Sequence, residues 1–478
     1  MKKLLLTLVT LVTATAASAQ IVLWNGDGKE VGSDGGFWDR ANPTVVEESG
    51  NKVLKITTKA NPSGWDKEHC NAALPLGDAD FKGLRRLTLK MKMDIGHNVL
   101  VKLVKDGGYS TGRLLWYDET KGWYKLTFEF AAGPDNEKIT DTGNTALEIW
   151  PFEDGSDALS NIGKTIYIDD IQMEGPMVNG AAIRTLSDDA LSGNIAITGT
   201  LSKGQYKDTW TGEWKDVAYD DYVLLNSKLS NGITSVDITG ATVSDFDGDQ
   251  FFFKNPNNIV YATSEYSYSH NIVANEATTK LELNDANPFN APTGFTATRV
   301  VLKRGIANGI NTFCLPFAVT PSEVSATKIA TFKEGVTFTT ADNVAANTPF
   351  ITVGATEVAK ETGFTFSNKT ITATPASLGT TFQGTYKHLS DTSGKYGINK
   401  DGKFQGGSAS TPCSAFRAYL TTIPSTARSI EIDGDATGIS KVSLENPVQE
   451  IYNLNGVRVD KIGNKGIYII NGKKVIVK

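Results

Sequence analysis

The sequence predicts an all-β protein built as sandwiches in tandem, and three observations predict it. Short runs alternate apolar and polar residues, as in Leu87, Leu89, Met91 and Met93 against Arg86, Thr88, Lys90 and Lys92. That is the period of a strand with one buried face. Gly- and Asn-rich turns recur between such runs, and no long apolar stripe of helical spacing interrupts them. The 478 residues leave room for roughly two to four domains at ~150 residues each.

The N-terminus predicts export. Lys2 and Lys3 precede an apolar run over residues 4–12, and Ala17-Ser18-Ala19 is an A-x-A cleavage signal, so the mature chain is expected to begin at Gln20. The run is shorter than the ~20 residues a bilayer span needs. No Cys near the junction suggests a lipid anchor, and no later stretch reads as a membrane helix. Removing the two lysines takes the formal net charge from −6 to −8. That mild acidity argues against nucleic acid, which favours a basic face. Cys70, Cys314 and Cys413 give neither a disulfide framework nor metal spacing. A Cys314–Cys413 bridge and two separate buried thiols both remain open. His69, His97, His270 and His388 are too scattered for a zinc site.

Residues 20–175 are expected to form the first domain, and six of the eight tryptophans fall within it. It opens on the strand Ile21-Val22-Leu23-Trp24, where Trp24, on an apolar strand, is expected to be a core residue. Along residues 123–130, Tyr124, Leu126, Phe128 and Phe130 share one face, leaving Trp123, Lys125, Thr127 and Glu129 on the other. Leu147 and Ile149 likewise point inward, opposite Glu148 and Trp150. Indole rings beside charged groups form the mixture that sugar recognition uses: rings for pyranose faces, polar groups for hydroxyls. The candidate carbohydrate-binding residues are therefore Trp123, Lys125, Glu129, Glu148 and Trp150. Trp65 and Trp116, near strand ends or loops, are added to them.

The length of this domain, its opening strand and its closing Tyr167-Ile168-Asp169-Asp170-Ile171 resemble the jelly-roll carbohydrate-binding modules with a galactose-binding-like sandwich. The resemblance covers about a third of the chain. It implies a structural calcium ion with Asp169 as a ligand; Asp27 and Glu47 are weaker candidates for the remaining positions. Oxygen ligands at a rigid sandwich end suit that hard ion.

Residues 176–303 form a second, β-rich region. Asn231-Gly232-Ile233-Thr234-Ser235-Val236-Asp237-Ile238-Thr239-Gly240 has leucine-rich-repeat rhythm. Asn255-Pro256-Asn257-Asn258-Ile259-Val260-Tyr261 is similar to a segment that follows such repeats in bacterial surface proteins. One recognisable repeat is fewer than a free-standing solenoid needs, so a truncated repeat docked between its neighbours is expected. Asp245-Phe246-Asp247-Gly248-Asp249 fails as an EF-hand, because Gln250 and Pro256 stand where Gly and Glu are required.

Residues 304–435 are expected to form a β-sandwich. Asn311-Thr312-Phe313-Cys314-Leu315-Pro316-Phe317 and Ala415-Phe416-Arg417-Ala418-Tyr419-Leu420 resemble the ends of a β-domain of type IX-secreting Gram-negative bacteria. Glu431-Ile432-Asp433-Gly434-Asp435 begins like the acidic strand of jelly-roll glucanases but lacks the second glutamate that their chemistry requires. Residues 436–478 carry Ile451-Tyr452-Asn453-Leu454-Asn455-Gly456 and Gly466-Ile467-Tyr468-Ile469-Ile470. Their spacing resembles the C-terminal sorting domain read by the type IX secretion machinery, which implies export and surface attachment.

The sequence thus predicts a secreted or cell-surface, non-catalytic protein whose calcium-supported first domain binds a polysaccharide. The competing readings are a structural or adhesive surface protein, then a glycoside hydrolase or lyase with an unrecognised site.

Overall fold

Alternating strands in the first third pair into two sheets that face one another across an apolar core. The computed structural model describes residues 20–26, 44–57, 72–77, 79–93, 99–105, 108–114, 122–129, 142–150, 163–202, 205–207, 214–216, 221–243, 254–264, 271–436, 451–453, 458–459, 466–470 and 473–477. The expected signal segment, Asp27, Trp65, Cys70, Trp116 and the Asp245–Asp249 stretch lie outside these residues, as do the side chains of Glu129 and Trp150.

The first domain contains β1 (Gln20–Trp24), β2 (Thr44–Glu48), β3 (Asn51–Thr57), β4 (Ala72–Pro75), β5 (Arg86–Met93), β6 (Val99–Lys105), β7 (Gly108–Leu114), β8 (Tyr124–Glu129), β9 (Asn144–Trp150) and β10 (Thr165–Glu174). One sheet runs β2-β3-β10-β5-β8, with β1 also paired to β10; the other runs β4-β9-β6-β7. Their pairings are antiparallel. From β3 to β10 the two orders are 3-10-5-8 and 4-9-6-7, the interleaved double Greek key of a jelly roll. Inward residues of both sheets, including Leu54, Leu89, Phe128 and Ile168 from one and Val101, Leu147 and Ile149 from the other, share one core. Trp24 is buried in it, as expected.

The chain continues through β11 (Met177–Val178), β12 (Ala181–Ala182), β13 (Leu191–Leu201), β14 (Gln205–Lys207), β15 (Trp214–Asp216), the one described α-helix α1 (Asp221–Lys228), β16 (Leu229–Val243), β17 (Ile259–Ala262), β18 (Ile272–Ala274), β19 (Ala277–Asn284) and β20 (Phe295–Lys303). Here the structure extends beyond the single repeat expected: β13, β16, β17 and β18 stack in parallel. The sheet is covered on both faces, since Val260 packs into one core while Ile259 and Tyr261 pack into another. A parallel strand buried on both sides reads as a continuous apolar run, and Ile259-Val260-Tyr261-Ala262 is one. The buried Asn255, Asn257 and Asn271 donate to strand and loop carbonyls beside this sheet. Asn257 Nδ2 donates to the carbonyls of Asn284 and Asn287 at 2.8 and 2.7 Å, and Asn271 Nδ2 donates to Glu282 at 2.9 Å.

No break in the sheet marks the expected division at residues 303/304. The strand Phe364–Ile371 pairs antiparallel with β20, and residues from Ile259 to Phe416 form one hydrophobic core. The strands Ile451–Asn453, Arg458–Val459, Gly466–Ile470 and Lys473–Val477 form a separate four-stranded antiparallel sheet. Among the described residues no helix is long and apolar enough to cross a membrane.

Cys314 and Cys413 are both free thiols, the first buried and the second half-buried. Glu431–Ile432 and Asp435–Ala436 form a hairpin whose two turn residues, Asp433 and Gly434, have φ of 53° and 87°. Such a pair suits a tight type I′ turn. The Asp433 carboxylate accepts from the Thr340 backbone N–H and hydroxyl, both at 2.9 Å, and those bonds hold it below the usual carboxylate range. This acidic segment is a turn fastened to its neighbour.

Candidate functional site

The outer face of the β2-β3-β10-β5-β8 sheet is the candidate site. Register sets its rows. Lys125 on β8 opposes Lys90 on β5, which opposes Asp169 on β10. One row along, Lys92 opposes Tyr167, which opposes Lys55 on β3. Tyr124 pairs with Met91, so Trp123, one residue earlier, stands at the Lys92 end of β8.

Burial follows the alternation along β8. Leu126 and Phe128 are buried, Tyr124 packs partly against the same core, and Trp123, Lys125 and Thr127 are exposed. Trp123 is 39% exposed and is the one aromatic among the large exposed hydrophobic side chains of the described residues. The Lys92 Nζ lies 5.2 Å from the centroid of the Tyr167 ring. Trp123 and Tyr167 therefore flank Lys92 on strands two apart, about 10 Å at the usual strand spacing. Tyr167 is half-buried and was not among the carbohydrate-binding candidates drawn from sequence. Its signal was there: in Thr165-Ile166-Tyr167-Ile168 it alternates against two core isoleucines.

Ion pairs hold the polar groups of this face. Lys90 Nζ is 2.6 Å from Asp170 Oδ2, and Lys92 pairs with Glu48. Lys125 Nζ reaches 3.2 Å from the buried Glu174 carboxylate. The Asp170 partner raises the Lys90 ammonium above its ordinary range. These are cations and acids alternating beside two rings, fixed by a rigid sheet.

The candidate residues do not form one group. Lys125 and Glu129 belong to β8 in one sheet, with Trp123 just before it, whereas Glu148 and Trp150 belong to β9 in the other. Those two sheets turn their inner faces toward each other, so opposite-parity positions on β8 and β9 lie on opposite sides of the sandwich. Glu148 opposes Lys102 in register and is only 6% exposed.

The proposed metal ligands also separate. Asp169 sits at a bulge in β10, followed by Asp170 with φ of 48°. Its carboxyl is buried and raised above the usual range by that burial. Oδ1 accepts the Asp170 backbone N–H at 2.8 Å. Glu47 pairs with Lys52, at the parity opposite to the Asp169 row. No group of three or more His, Cys, Asp or Glu suited to a metal occurs among the described residues. Calcium takes about six to eight oxygens. Asp169 is a buried acid suited to supply one or two of them, and the described residues do not complete the set.

Comparison with known proteins adds the following. No protein-family profile matches the chain, and no curated protein matches it. Solved structures similar to it include the family 11 carbohydrate-binding module of a cellulosomal cellulase of Clostridium thermocellum, at 12% identity and TM-score 0.24, covering 33% of this chain and 94% of that one. A family 29 carbohydrate-binding module variant complexed with cellulohexaose matches at 12% identity and TM-score 0.22, covering 34% of this chain and 92% of that one. Another, complexed with mannohexaose, matches at 13% identity and TM-score 0.22, with the same two shares.

Proposed function

We propose that this is an exported, non-catalytic polysaccharide-binding protein whose first jelly roll takes glycan on the outer face of its β8-β5-β10 sheet. The observation that carries this reading is the exposure of Trp123 beside Lys92, Lys125 and Tyr167 on a rigid sheet. An exposed indole costs little stability to remove, so its placement there is explained by a ligand better than by packing. A chain of pyranose rings can lie along both aromatic groups while the flanking ammonium and carboxylate groups orient its hydroxyls. Trp65, Trp116 and Glu129 remain candidates for further contacts, whereas Trp150 belongs to the other sheet. Calcium is proposed as a structural ion at Asp169. The C-terminal sheet is proposed as the element read by the type IX secretion machinery, which would leave the protein secreted or surface-attached.

The test is affinity electrophoresis of the chain from Gln20 onward against a polysaccharide panel. Retardation by a glycan, lost in Trp123→Ala, is expected. One observation favours a structural or adhesive role instead: Lys90, Lys92 and Lys125 are already engaged in ion pairs. A folded protein that no glycan retards would establish that second reading.

A further inference from the structure

A groove of about 830 Å³, with no lining residue from the first sandwich, runs between the parallel sheet and the third region. Its volume falls in the ~300–1,000 Å³ range of ligand pockets. One wall includes Asn194 on β13; the other includes Gln383, Lys387, His388 and Tyr419. The walls are fixed relative to each other. Phe289 N–H donates to the Tyr386 carbonyl at 2.9 Å, and Thr374 and Ala291 exchange bonds at 2.8 and 3.0 Å. Phe289 and Ala291 share one hydrophobic core with Leu378 and Tyr386, and Asn290 between them ties that segment to Asn194 on β13.

The amide groups of this groove are oriented. Asn194 Oδ1 accepts from Thr234 Oγ1 at 2.9 Å, Ser235 Oγ at 2.9 Å and Asn290 Nδ2 at 3.0 Å. Its oxygen is therefore fixed by the protein, and its Nδ2 carries two N–H donors with no partner among the described residues. Across the groove, Gln383 Oε1 accepts from Tyr419 OH at 3.1 Å, which leaves Nε2 as the donor end. Lys387 and His388 are exposed beside it. None of the described residues lining the groove is Asp or Glu. The lining therefore offers two oriented amide donors and the Lys387 ammonium, with no carboxylate among the described residues to oppose an anion. A sugar acid brings carboxylate, hydroxyl and ring oxygens, which suit donors.

We infer that this groove is a second binding site, and that it takes an acidic, uronate-bearing oligosaccharide. The inference is independent of the Trp123 face. In this complex the carboxylates of the chain accept from Lys387 and from the two amides.

The test is isothermal titration of the full chain with an oligogalacturonate, with its methyl ester and with oligoglutamate as comparisons. Binding of the oligogalacturonate, weakened at least tenfold for the neutral ester, is expected. Asn194→Asp and Gln383→Glu each keep the oxygen that accepts the internal hydrogen bonds and replace the donor end with a carboxylate oxygen. Each is expected to weaken binding tenfold or more with little change in melting temperature, and Trp123→Ala is expected to leave it unchanged. Equal binding of acid and ester, preference for oligoglutamate, no binding at all, or unchanged affinity in both folded variants would overturn the inference.

Discussion

Arg86 on β5 and Asp221 at the start of α1 form a buried ion pair, 2.7 Å long, that fastens the first jelly roll to the parallel sheet. Arg86 also donates to the Thr200 carbonyl and the Ser202 hydroxyl, both at 2.9 Å. Asp221 accepts in turn from the Ser202 backbone N–H at 3.1 Å. Arg86 lies on the outer face of the same sheet as Lys90 and Lys92. One end of that face is thus covered by the next region, and the Trp123 end is left to solvent.

Removing one partner of this pair leaves a buried charge uncompensated. Asp221→Ala is expected to cost about 3–5 kcal/mol, seen as a lowered calorimetric transition. The double variant Arg86→Met with Asp221→Ala, compared with each single substitution, is expected to recover much of that loss. Additive losses in the cycle would mean that the two side chains do not act as a pair.

Burial raises the Asp169 carboxyl, so the folded state holds its proton more tightly than the unfolded one. The sign is therefore opposite to that of a salt-bridged aspartate. Its contribution is most favourable below the ordinary carboxylate range and is lost as pH rises through the raised value. In EDTA at neutral pH, Asp169→Asn is expected to raise the melting temperature. Calcium is expected to stabilise the native protein and to have no such effect on the variant. A melting temperature indifferent to calcium in the native protein would remove the ion from the account.

Gly384 has no room for a side chain, because a Cβ there would stand 2.4 Å from Cys314 Sγ. Gly384→Ala is expected to destabilise the third region by about 1–3 kcal/mol through overpacking, read as a lower denaturant midpoint. The same burial pushes the Cys314 thiol up to about 12. Labelling of Cys314 by a thiol reagent at mild alkaline pH is expected to await unfolding, since the thiolate is the reactive form. Rapid modification of the native protein at that residue would contradict the buried placement.

The sequence was most readable where strands have one wet face. Along β5 and β8 the alternation of apolar and polar residues is the alternation of burial, so Leu126, Phe128 and Trp123 fall on the sides their parity indicates. It was least readable where an answer depends on which strands become neighbours. Nothing local to β8 or β9 shows that their outer faces look in opposite directions, and the grouping of Trp123 with Glu148 was lost for that reason. The parallel stack was hidden because Ile259-Val260-Tyr261-Ala262 is buried on both faces and has no alternation. The groove joins Asn194 to Gln383, residues far apart in sequence that only the tertiary fold brings together.

The most direct measurement is titration calorimetry of the chain from Gln20 onward with oligosaccharides cut from whichever polysaccharide retards it, comparing the native protein with Trp123→Ala. Trp123 is a surface residue, so the variant should lose no more than ~0.5 kcal/mol of stability. As an aromatic anchor it is expected to cost about 2 kcal/mol or more of binding, roughly a thirtyfold weaker dissociation constant. A folded Trp123→Ala protein that binds the same oligosaccharide with unchanged affinity would contradict the assignment of this face.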